Sequence, residues 1–105
     1  MKLDHNTESE WHGKYILINT RKLPDTTNSV QGLISLIEAA PSAVEVGLKG
    51  SSEEFFPIKL KDKHAAAALK AYADSIRFED PEFAKEMYEL VSRAGPNSPF
   101  CKAPD

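Results

Sequence analysis

Apolar and polar positions alternate between two periods along this chain, and the change of period marks out its elements. Residues 14–23, KYILINTRKL, are rich in β-branched and aromatic side chains and contain the apolar run Tyr15, Ile16, Leu17, Ile18. Such a run predicts a strand covered on both faces, the central one of a sheet. Residues 24–29, PDTTNS, read as a loop ending in good N-cap candidates. After them Val30, Leu33, Ile34 and Ile37 are spaced for a short helix, weakened by Gly32 and closed by Pro41. Residues 43–49 alternate, with Val44, Val46 and Leu48 on one side, and Phe56, Ile58 and Leu60 resume the alternation after a turn at residues 50–53. Residues 43–61 therefore predict an antiparallel hairpin, with Pro57 confining its second strand to an edge or a bulge. If the first strand pairs parallel with the second, the intervening helix becomes a right-handed crossover.

From Asp62 the period lengthens. Asp62 is a candidate N-cap, and Ala66, Leu69, Ala73 and Ile76 recur at three- and four-residue steps. The alanine run 65–68 allows close approach of another element. Phe78, Glu79, Asp80 and Pro81 end this helix and start the next, with Asp80 as N-cap and Pro81 at the first helical position. Phe83, Met87, Leu90 and Ala94 form the second helix's inner stripe, and Arg93 and Gly95 its C-terminal signals. The predicted fold is α+β: a small three-stranded sheet (β-α-β-β) followed by a C-terminal antiparallel helical hairpin. Residues 1–10 have almost no apolar content and are expected as a flexible arm, residues 11–95 as one domain, and the proline-punctuated residues 96–105 as an irregular tail. In that tail Phe100 and Cys101 either pin it to the body or meet a partner.

Composition narrows the function classes. With 105 residues, 41% hydrophobic and 28% charged, the chain is long enough for one core without staples. It contains no transmembrane run and no signal-peptide apolar segment, so a soluble, cytoplasmic protein with no membrane association is expected. A single cysteine, Cys101, fits a reducing compartment. A formal net charge of −3 argues against duplex nucleic-acid binding.

Three groups of residues carry candidate chemistry. Lys59, Lys61 and Lys63 alternate into the helix start and are joined there by His64. With Tyr72, or Tyr15 or Phe55, as a stacking face, they form a candidate site for a phosphate-bearing ligand or nucleotide. Against that, Asp62 caps the same N–H groups and edge lysines commonly serve to block strand aggregation. Glu82, Glu86 and Glu89 fall on one outward face at i, i+4 and i+7, a solvated ridge or one that engages a basic partner, with Phe100 as a further candidate contact. His5, His12, His64 and Cys101 have no metal-ligand spacing, and neither metal nor cofactor is expected. Cys101 has only Lys102 beside it to lower its pKa, and the serines of KGSSEE lack a nucleophile elbow.

The stretches FFPIKLKDKHAAAALKAYADSI and EDPEFAKEMYELVSRAGPNSPFCKAPD, within residues 55–105, resemble small uncharacterised proteins of bacteriophages and prophages. The resemblance brings no functional residue. It implies a small accessory protein acting by binding, either blocking a host defence protein or sequestering a small signal. The leading expectation is thus a non-enzymatic binding protein with a host protein or itself as partner, the latter as a homo-oligomer. The alternatives are a sponge for a phosphate-bearing small molecule and a small enzyme using His64 or Cys101.

Overall fold

The computed structural model describes residues 3–103, and the expectations for residues 1–2 and 104–105 lie outside them. The fold is mixed α+β: a two-stranded antiparallel sheet of β1 (Leu17–Ile18) and β2 (Val44–Glu45), with three α-helices, α1 (Val30–Ala39), α2 (Ala65–Ile76) and α3 (Pro81–Val91). Backbone packing divides the chain into two units, Met1–Phe56 and Pro57–Asp105.

In the first unit the sheet is far shorter than its apolar pattern predicts. Asn19 ends β1, its side chain accepting from Arg21 N–H at 3.1 Å and turning the chain into a 3-10 helix at Thr20–Lys22. β1 is not a covered central strand: Ile16 and Leu17 are each 41% exposed. Leu17 pairs with Glu45 and Ile18 with Val44 in antiparallel register, so α1 is not a parallel crossover. The helix itself forms where expected, with the Ser29 hydroxyl accepting from Gly32 N–H at 3.1 Å, and it ends before the 3-10 turn Pro41–Ala43.

Among the described residues no third strand forms. Residues 48–54 reel through two successive turns, Ser51 N–H to Leu48 O and Glu54 N–H to Ser51 O, and Gly50 takes φ +80°. The edge a hairpin partner would use is already taken. Asn6, in the stretch expected as an arm, is only 5% exposed; its Nδ2 donates to the carbonyls of Val46 (2.9 Å) and Tyr15 (3.1 Å). Its carbonyl accepts from Lys49 N–H (2.8 Å), and its Oδ1 accepts from Gly13 N–H (2.6 Å). Phe56 and Ile58, the intended strand residues, are 68% and 44% exposed, and Pro57 offers no N–H between them.

The second unit is the packed pair α2 and α3. Helix α2 begins three residues later than Asp62 suggests, because Asp62 organises a preceding turn: its carboxylate accepts from His64 N–H at 2.8 Å and its carbonyl from Ala65 N–H. Asp80 does cap α3, accepting from Phe83 N–H at 3.1 Å, with Pro81 at the first position. At the other end the Asn97 amide donates to the Val91 carbonyl, one of the acceptors the helix leaves open. Ala65, Ala73, Ala84 and Ala94 are the buried apolar residues of this unit, and no large side chain among the described residues is fully buried. Small side chains bring the helices close, and the inner stripe of α3 centres on Ala84 rather than Phe83, which is 39% exposed. Gly95 takes φ +54° past the end of α3 and donates its N–H to Leu60 O at 2.7 Å. No helix among the described residues is long and apolar enough to cross a membrane.

Candidate functional site

Capping fixes what α3 shows to its surroundings. With Asp80 as cap and Ala84 turned inward, Glu82, Glu86 and Glu89 fall within about 60° of arc on the opposite side, from 100° per residue. All three are exposed and take part in no ion pair or side-chain hydrogen bond. Lys85 borders the arc without neutralising it.

Beside this ridge lies an aromatic seam. Tyr72 of α2 and Phe83 of α3 meet edge to face, with centroids 6.2 Å apart and planes at 80°, and Tyr72 remains 51% exposed. Phe78, in the connection, is 83% exposed with the Arg77 guanidinium 4.7 Å over its ring. On α2's far border Asp74 accepts from Tyr88 Oη at 2.5 Å and from Lys70 Nζ at 2.9 Å. The Tyr88 hydrogen bond, then Lys70, hold the Asp74 carboxyl below the usual carboxylate range. The same contacts raise the Tyr88 hydroxyl and the Lys70 ammonium.

The basic cluster gains a member from the tail. Asp62 and Lys102 form an isolated parallel bridge, in which Lys102 N–H donates to Lys61 O and Lys63 N–H to Lys102 O, both at 2.9 Å. Lys61, Lys63 and Lys102 thus share one short backbone ladder, beside His64 at the start of α2. Nothing in the spacing of the sequence signals Lys102, since only the fold of the tail brings it there. Tyr72, in contrast, lies eight residues up α2 from His64, about 12 Å along the axis, and packs on Phe83 instead. Tyr15 and Phe55 belong to the first unit, where the Phe55 ring presses on Gly47, so that a Cβ there would meet it at 2.4 Å. Phe100 is 74% exposed and Cys101 is exposed, so the tail is held by its backbone rather than by these side chains.

In the first unit His5 lies 3.8 Å from Glu54 and His12 contacts Glu10, both in exposed settings. An open depression of about 550 Å³ is lined by Phe55, Phe56, His5 and Glu54, among others. The carboxylate of Glu45 is lowered by the Asn19 amide first and then by Lys22, 3.4 Å away. No cluster of three or more His, Cys, Asp or Glu suited to a metal occurs among the described residues. No family model matches the chain, and neither the curated proteins nor the solved structures contain a match to it.

Proposed function

We propose that this is a non-enzymatic binding protein whose working surface is the acidic ridge Glu82, Glu86 and Glu89 of the helix pair, taken as an antiparallel hairpin. The observation that carries this reading is that all three carboxylates are exposed on one arc and unpaired. Like charges at i, i+4 destabilise a helix slightly, and a cationic partner offsets that repulsion. A row of carboxylates beside exposed rings matches the charged rim and aromatic anchors of protein interfaces. The partner this fits is a basic protein surface, approached with electrostatic steering. The resemblance of residues 55–105 to small phage proteins supports a cytoplasmic host protein as that partner, with Phe100 as a further contact.

The test is affinity capture with the wild-type chain and with Glu82→Lys, Glu86→Lys, Glu89→Lys combined. The reading expects a captured partner that is lost from the triple variant and released by salt, because exposed charges are screened beyond about 10 Å at 0.1 M ionic strength. Equal capture by both chains would remove the ridge from the function.

A second reading has one observation in its favour: the backbones of Lys61, Lys63 and Lys102 share a short ladder just before the start of α2, which brings three lysine positions to one segment. On this reading the protein sequesters a phosphate-bearing small molecule. Titration with ATP and with inorganic phosphate checks it. Binding abolished in a folded Lys61→Glu, Lys63→Glu variant supports sequestration, and no heat with either probe removes it for those ligands.

A further inference from the structure

We propose that the depression in the first unit is a binding site for a small amphiphilic cation, an alkyl- or arylammonium ion. Its apolar body is received by Phe55, Phe56 and Leu3, and its charge by Asp4 and Glu54. The volume of about 550 Å³ is that of a small-molecule pocket. The residues that line it come from two short segments, 3–5 and 51–56, and the backbone pins these segments side by side. Asn6 O accepts from Lys49 N–H at 2.8 Å, while the turns Ser51 N–H to Leu48 O and Glu54 N–H to Ser51 O wind the second segment. The site is thus held before a ligand arrives, which removes part of the ordering cost of binding.

Charge decides the class of ligand. Asp4 and Glu54 line the depression, and among the described residues no Lys or Arg does. Glu54 Oε1 accepts from Gly50 N–H at 2.9 Å, which fixes the carboxylate in place. Its Oε2 has only His5 Nδ1 near it, at 3.8 Å and beyond hydrogen-bond reach. The Asp4 carboxylate takes part in no ion pair or hydrogen bond among the described residues. Ser51 already donates its hydroxyl proton to Leu48 O at 2.7 Å. The wall therefore offers acceptors and lacks donors, and an ammonium group brings three. A cleft lined by one sign of charge also concentrates the opposite sign. The apolar part points the same way: Leu3 and Phe56 are 61% and 68% exposed beside those carboxylates, and a ring face itself attracts a cation. A neutral apolar ligand leaves the carboxylates unanswered, and an inorganic cation leaves the rings uncovered. A ligand with both parts uses both. The inference is independent of the acidic-ridge reading, since Glu82, Glu86 and Glu89 belong to the second unit.

The experiment is an amide-resolved NMR titration of the full chain with phenethylammonium, and with phenylethanol and phenylacetate as neutral and anionic ligands of similar apolar body. Phenethylammonium is expected to shift the amides of residues 3–5 and 51–56 saturably, with a millimolar dissociation constant, within reach of a ligand of this size. Asp4→Asn and Glu54→Gln are each expected to weaken it about fivefold, the upper end for an exposed ion pair. Phenylethanol, which lacks both ion pairs, should bind about 20-fold more weakly, and phenylacetate not at all. Gln keeps an oxygen for Gly50 N–H, so the turn persists in Glu54→Gln. Phe56→Ala should weaken phenethylammonium and phenylethanol alike. The amide spectrum itself shows whether each variant is folded, and Asp4→Asn serves if Glu54→Gln is not. Absence of saturable shifts at these amides with phenethylammonium overturns the proposal. So does equal affinity for phenylethanol, or an affinity unchanged in folded Asp4→Asn.

Discussion

Asn6 is the side chain whose removal the structure makes most consequential. Asn6→Ala deletes three hydrogen bonds, those of its amide to the carbonyls of Tyr15 and Val46 and that of Gly13 N–H to its Oδ1. At about 1 kcal/mol each, the loss is about 3 kcal/mol, a large fraction of the 5 to 15 kcal/mol that holds a domain folded. Asn6→Asp tests the same geometry with its sign reversed at one atom. The Gly13 acceptor survives, but an oxygen now faces two carbonyl oxygens where an amide donated. At neutral pH this variant is expected to be less stable than Asn6→Ala. Its folded-state pKa is raised, so acidification through that value restores part of the loss. Trp11, the single tryptophan, sits in the bridge opposite Asn6 and reports directly on this unit during urea unfolding. A fluorescence midpoint for Asn6→Ala within about 0.5 kcal/mol of wild type, the range of an ordinary surface substitution, would refute the reasoning.

Three further outcomes follow from single contacts in the helix pair and its surroundings. Asp80→Ala removes the α3 cap and is expected to lower stability by about 1 kcal/mol, measured by thermal melting at 222 nm. Gly95→Ala forces a side chain to φ +54° with its Cβ 3.1 Å from the Lys63 carbonyl, and is expected to lose about 2 kcal/mol or more. Gly50→Ala, at φ +80° with nothing within 4 Å, is expected to lose only about 1 kcal/mol in parallel urea titrations. Asp74 has its folded pKa below its unfolded value, so its contribution is present above the ordinary carboxylate pKa and fades as pH falls through the lower folded one. Tyr88→Phe removes the larger cause of that shift, and its acid unfolding midpoint should move to higher pH. An unchanged midpoint would count against the Tyr88–Asp74 bond.

Helices were legible in the chain because their signals are local. Ser29 before the spaced apolar residues of α1 and Asp80 before Pro81 each name a cap, and each caps as expected. Alternation at residues 14–23 and 43–61 was a poorer guide, because a strand needs a partner and the pattern does not say whether one is present. Leu17–Ile18 and Val44–Glu45 pair for two residues only, and the edge at residues 46–49 is held by Asn6. A lone asparagine in a polar stretch carries no period or spacing, so its role was invisible. The α3 ridge could be read directly, since 100° per residue puts Glu82, Glu86 and Glu89 together whatever the rest of the chain does. By contrast, Lys102 beside Lys61 and Phe83 against Tyr72 depend on tertiary placement. That placement also keeps Tyr72, packed on Phe83, apart from Lys61 and Lys63.

The measurement that bears most directly on the binding role is native mass spectrometry of the protein purified from its own host, set against the same sample after denaturation. The account predicts a complex heavier than one or two chains of 11.6 kDa by the mass of another protein. That mass should be absent when Glu82, Glu86 and Glu89 are reversed to lysine. A bound small molecule that persists in the ridge variant and disappears from Lys61→Glu, Lys63→Glu would contradict the account and place the function at the lysine cluster.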